Sequence, residues 1–95
     1  MDILKTGVAG TLESSDIMIT VEPWTQGVSI DVQSIVEKQF GREIRLAIEE
    51  TLSALRVKTV HITAVDKGAL DCTIRARTKT AVYRANEKTP YEWKV

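Results

Sequence analysis

The chain has 95 residues, 43% hydrophobic and 27% charged, a composition that folds as one small domain and argues against wholesale disorder. Thirteen basic and thirteen acidic residues cancel, so nothing favours nucleic acid or an anionic membrane surface, both of which reward clustered Lys and Arg. No apolar run approaches bilayer length, no signal-peptide pattern opens the chain, and a lone Cys72 with a lone His61 makes neither a disulfide nor a metal set; the composition points to a cytoplasmic, metal-free protein.

Residues 6–12 and 16–21 read as two short strands, with Glu13, Ser14 and Ser15 as the polar turn between them. Ile17, Ile19 and Val21 share one face of the second strand, and Pro23 ends it because proline cannot donate to a sheet ladder. After Gly27, the clean alternation of residues 28–32 predicts a third strand with one buried face. Ser34 with Glu37 fits a capping box at a helix start. From there Val36, Phe40, Ile44, Ala47, Ile48, Thr51, Leu52 and Leu55 follow helical spacing as one apolar stripe, interrupted only by Gly41.

Residues 57–65 alternate as a further strand, with His61 on its polar face. Asp66-Lys67-Gly68 reads as a tight turn, and Leu70, Cys72, Ile74 and Ala76 then alternate against Asp71, Thr73, Arg75 and Arg77, predicting a hairpin. Residues 78–85 fit a strand extension or a helix. The domain is expected to run over 1–86, with 87–95 as a loosely held tail in which Tyr91 and Trp93 are candidates for docking. The fold class is α+β: one amphipathic helix packed on a mainly antiparallel β-sheet.

The serine pair at the turn is the main chemical candidate. Ser-Ser-Asp is ordinary turn chemistry, because these side chains bond their own backbone. It also offers an exposed hydroxyl at a hairpin tip, where an external enzyme can reach it and a bulky adduct can be tolerated. A serine hydroxyl is a weak nucleophile without a general base, and the chain offers none nearby. A serine hydrolase is excluded on the same ground: His61 lies on a distant strand and there is no Gly-x-Ser-x-Gly elbow. Cys72 reads as a small buried hydrophobe. Arg75, Arg77, Lys79 and Arg84 form the one local basic excess; Arg75 and Arg77, expected to share a strand face, are the candidates for contacting phosphate or an acidic partner.

Three blocks occur in order along most of the chain. They are residues 9–19 (Ala-Gly-Thr-Leu-Glu-Ser-Ser-Asp-Ile-Met-Ile), residues 36–41 (Val-Glu-Lys-Gln-Phe-Gly), and residues 66–72 (Asp-Lys-Gly-Ala-Leu-Asp-Cys) followed by Arg75-Ala76-Arg77. Together they resemble the acyl carrier (gamma) subunit of citrate lyase. The resemblance implies a 2'-(5''-phosphoribosyl)-3'-dephospho-coenzyme A arm joined by a phosphodiester to Ser14, with Ser15 the nearest competitor. It implies a non-catalytic carrier, loaded by a prosthetic-group transferase. The arm would then take acetyl and citryl thioesters between the alpha subunit (citrate:acyl carrier transferase) and the beta subunit (citryl lyase), which releases oxaloacetate. A tethered substrate meets each active site at high effective concentration, so such a chain needs an anchor and a stable body rather than catalytic groups. The related malonate decarboxylase carrier, with a similar arm, and a non-carrier α+β binding or regulatory subunit are the alternatives. A generic acyl carrier fits less well, since those are acidic helical bundles with the order Asp-Ser-Leu.

Overall fold

The computed structural model describes residues 1–34 and 38–87, the side chains of 38–40 excepted. The elements are β1 (Gly7–Ala9), β2 (Ile17–Glu22), β3 (Val28–Ser34), α1 (Lys38–Ala54), β4 (Val60–Asp66) and α2 (Asp71–Asn86). The strands form one sheet in the order β1-β2-β4-β3. β1 with β2 and β2 with β4 are antiparallel, whereas β3 runs parallel to β4. Parallel neighbours require a crossover, and α1 supplies it. The α+β class holds, and the antiparallel pairs outnumber the parallel one.

Alternation in the strands decides which face is buried. Ile17, Ile19 and Val21 pair in register with Asp66, Ala64 and Ile62, and all six are buried. Residues directly opposite in an antiparallel pair share a face, so this is the face that both helices cover. From α1 come Ile44, Ala47, Ile48 and Leu52, and from α2 come Ile74, Ala81, Val82 and Ala85. The interleaved residues Met18, Thr20, His61, Thr63 and Val65 are half-buried on the uncovered face. Gly7 is where α2 crosses β1 most closely: a Cβ there would sit 2.3 Å from the Ala81 carbonyl oxygen, so only glycine fits.

The predicted hairpin after Gly68 is absent; residues 71–86 are a helix. Leu70, Cys72, Ile74 and Ala76 do alternate, but a short alternating run fits a helix segment equally well when its partners lie further along. The buried set is Ile74, Thr78, Ala81, Val82 and Ala85, which is helical spacing. Thr78 joins it because its hydroxyl donates to the Ile74 carbonyl at 2.8 Å, removing the cost of burying a polar group. Asp71 in the first turn and Arg84 in the last complement the helix dipole. Cys72 is therefore exposed on α2, not buried on a strand.

One smaller expectation also changes. Ser34 ends β3 rather than starting a helix, and its hydroxyl donates to Asp66 Oδ2 at 2.9 Å. Its expected capping partner Glu37 lies outside the described residues, as do Val36 and residues 88–95, which include most of the expected tail with Pro90, Tyr91 and Trp93. At Gly41, the glycine inside the helical stripe, a Cβ would meet nothing within 4 Å among the described residues, so the glycine is tolerated there rather than required.

Candidate functional site

The β1–β2 loop is built from its own short-range chemistry. The Asp16 N–H donates to the Glu13 carbonyl at 3.2 Å, closing a four-residue turn with Ser14 and Ser15 at its central positions. Ser15 carries φ 66°, the left-handed conformation expected at the third position of one such turn type. A serine tolerates it less readily than glycine does. Ser14 beside it is exposed. At the loop entrance Gly10 has φ 97°, and a Cβ would lie 1.8 Å from the Ile17 carbonyl oxygen. Gly10 is thus required both by conformation and by space.

The base of the loop is fixed by Asp16, which is 9% exposed. Its Oδ2 accepts the Thr11 hydroxyl at 2.7 Å, and its Oδ1 accepts the Ile17 N–H at 2.7 Å. Arg77 from α2 closes the set, Nε donating to Oδ1 at 3.1 Å and Nη2 to Oδ2 at 3.0 Å. This is the bidentate fork that arginine forms with a carboxylate. The Arg77 and Thr11 hydrogen bonds lower the Asp16 pKa from its ordinary 3.8 to about 2. A second tie comes from the β4–α2 turn: the Ser15 N–H donates to the Lys67 carbonyl, and the Lys67 N–H to the Asp16 carbonyl, each at 2.8 Å. The turn backbone is thereby held by two other parts of the chain while the Ser14 side chain faces solvent.

The structure separates the two arginines that the strand reading paired. On a helix, residues two apart point roughly 200° away from each other. Arg77 meets Asp16, whereas Arg75 bonds Asp71 at 2.6 Å and Glu50 of α1 at 2.8 Å. Arg75 ties α2 to α1 and does not share a face with Arg77. His61 sits at the far end of β4, roughly 16 Å along the strand from Asp66, which neighbours Asp16. Its ring stacks on Trp24, centroids 4.7 Å apart, and Nδ1 lies 3.1 Å from the Ser29 hydroxyl. His61 is thus half-buried and stands far from Asp16 and the serine pair. Sequence reasoning missed Thr11, Lys67 and the Arg77 contact; a helical reading of residues 71–86 is the signal that would have turned Arg77 toward the loop.

No group of three His, Cys, Asp or Glu able to hold a metal occurs among the described residues, and no helix there is long and apolar enough to cross a membrane. The arrangement presents two exposed serine hydroxyls, Ser14 and Ser15, on a backbone tied at several points, beside one partly exposed guanidinium.

Residues 4–85 match the family model described as malonate decarboxylase delta subunit, an acyl carrier family. The chain is 65% identical over 94 residues to the citrate lyase acyl carrier protein of Streptococcus uberis, covering 99% of this chain and 93% of that one. It is 61% identical to the protein of the same name from Streptococcus mutans (99% and 93% covered). It is 57% identical to that from Lacticaseibacillus casei (98% and 92%). One chain of a Pseudomonas malonate decarboxylase hetero-tetramer, crystallised with malonate, superposes with TM-score 0.77 at 20% identity over 88% of this chain and 87% of that one, which shows a shared fold.

Proposed function

The chain belongs to the family of citrate lyase acyl carrier proteins, and on that premise we propose that it is the acyl carrier subunit of a citrate lyase, modified on Ser14. The observation that carries the assignment is the turn itself: Ser14 is exposed at the tip of a loop whose backbone is tied to both α2 and the β4–α2 turn. Ser15 is the poorer anchor. Its N–H is engaged by Lys67 and its backbone is in the left-handed region, so its side chain direction is set by the turn.

The prosthetic group is 2'-(5''-phosphoribosyl)-3'-dephospho-coenzyme A, joined through a phosphodiester. The residues present fit such a group. Ser14 supplies the oxygen, and the Arg77 guanidinium uses Nε and Nη2 on Asp16 while its side chain stays 40% exposed, which leaves Nη1 to meet the phosphodiester charge. When bound, the group supplies a thiol that holds acyl groups as thioesters. The chain's own contribution is to anchor and orient it, and to dock on the citrate:acyl carrier transferase (alpha) and citryl lyase (beta) subunits that do the chemistry. Loading falls to a prosthetic-group transferase, and the carrier is non-catalytic and works in the cytoplasm. The carrier domain spans residues 1–86. The citrate assignment is favoured over a malonate decarboxylase carrier because the relatives named for citrate lyase are 57–65% identical, against 20% for the malonate decarboxylase chain.

The test is intact-mass and peptide mass spectrometry after coexpression with the transferase. The expected result is an adduct on the peptide holding Ser14 that disappears in Ser14→Ala. An adduct that survives this substitution moves the site to Ser15, and no adduct with an active transferase removes the carrier role.

A further inference from the structure

A cleft of about 270 Å³ opens between α1 and the first turn of α2, over the end of β4. Its walls are Ile44 and Ile74, its floor is Asp66, and Gly68 and Ala69 form the rim toward the β4–α2 turn. That rim continues directly into Lys67, whose N–H and C=O bind the carrier loop at Asp16 and Ser15. Ser14 and Gly68 each stand one residue from the bonded Ser15–Lys67 pair, so their Cα atoms are within roughly 13 Å. The cleft therefore lies on the same end of the molecule as the attachment serine. Its volume is just under the range of sites that enclose drug-sized ligands, roughly 300–1,000 Å³, which suits the end of an arm and not a nucleotide.

The charges around the cleft select among arm ends. Asp66 is 2% exposed and accepts from the Ser34 hydroxyl and the Ala69 N–H, at 2.9 and 3.0 Å; neither donor carries charge. Asp71 is matched by Arg75, while Glu43 on the α1 wall makes no ion pair among the described residues. Among the described residues, two carboxylates thus line the cleft without a paired cation: Asp66, buried against apolar walls where like charges repel more strongly than in water, and Glu43, exposed to solvent.

We propose that this cleft shelters the arm's end when it carries the uncharged acetyl group or a free thiol, and rejects it when it carries citryl, whose two remaining carboxylates meet Asp66 and Glu43. The acetylated carrier would be kept from stray nucleophiles between turnovers, and the citryl form would stay extended for transfer to the lyase subunit. This inference rests on the carrier reading.

The experiment uses the full chain, loaded on Ser14 and verified by intact mass, with the thioester cleaved by hydroxylamine. Acetyl-loaded carrier should react roughly fivefold more slowly than acetyl-coenzyme A, the ratio for an arm sheltered about four-fifths of the time. Citryl-loaded carrier should react as fast as free citryl-coenzyme A. Ala69→Phe, which fills the rim, should restore the fast acetyl rate. In the unaltered protein, NMR should show cross-peaks from the acetyl methyl to the methyls of Ile44 and Ile74, independent of whether that variant folds. Equal acetyl rates with no cross-peaks overturn the shelter, and equal protection of citryl overturns the charge selection. Failure to load Ser14 at all removes the carrier reading instead, so the two failures are told apart at the first mass spectrum.

Discussion

Two loops leave β2, one at each end, and they are held in different ways. The loop before it, residues 10–16, is tied by the Asp16–Arg77 fork, the Thr11 hydroxyl and the backbone pair with Lys67. The loop after it, residues 23–27, is exposed throughout, and is held by the Val60 N–H on the Gly27 carbonyl and by Trp24 stacking on His61. Both carry a glycine with positive φ, Gly10 at 97° and Gly27 at 70°. Gly10 is packed against the Ile17 carbonyl, while a Cβ at Gly27 would meet nothing within 4 Å. The contrast fits the attachment proposed above, which needs an exposed side chain on a backbone tied at several points.

The strongest way to break this comparison is at the glycines. Gly10→Ala combines a disfavoured φ with a Cβ overlapping the Ile17 carbonyl, and should cost about 3 kcal/mol or more in urea denaturation. Asp16→Asn comes next. It keeps the shape but removes the charge that Arg77 grips, so the thermal midpoint should fall and Ser14 loading by the transferase should slow between about tenfold and a hundredfold, as expected for a misplaced reacting group. Loading at the normal rate would mean that the transferase does not read the fixed turn.

Acid sharpens the same contrast. The folded Asp16 pKa of about 2 lies below its ordinary 3.8, so the stability it contributes is present above the ordinary value and is lost as pH falls from about 4 through 2. Amide resonances of Ser15, Asp16 and Ile17 should move in that window while those of Thr25 and Gln26 do not. In Arg77→Ala the midpoint of that movement should rise toward 3.8. Smaller still, Gly27→Ala should cost about 1 kcal/mol, the conformational term alone. Smallest, Thr25→Ala, on the exposed loop, should change stability by less than about 0.5 kcal/mol. Equal costs for the two glycine variants would dissolve the distinction between the loops.

Some of this was legible along the chain because it depends on neighbours in sequence. The turn at Ser14 and Ser15 follows from polar residues between two alternating runs, and the buried stripe of α1 from its spacing; both are local signals. The end of the chain's regular structure was read less well. Residues 70–77 satisfy a period of two as well as a period of 3.6, and the choice rests on Thr78, Ala81, Val82 and Ala85, which are buried only because the covered sheet face awaits them. Mistaking the helix for a strand then put Arg75 and Arg77 on one face, Cys72 inside, and no partner beside Asp16.

By itself, the sequence determined that a serine would stand exposed at a tight polar turn in a small α+β domain, since turn chemistry and hydrophobic period act over a few residues. Only the tertiary structure decided that this turn is clamped, because Thr11, Asp16, Lys67 and Arg77 come from three separate stretches of chain. Their hydrogen bonds form only when donor and acceptor come within about 3.2 Å, and their charges attract more strongly the closer they come. No spacing along the chain encodes that Arg77, 61 positions from Asp16, arrives within 3.1 Å of it; the packing of α2 over β1 and β2 does.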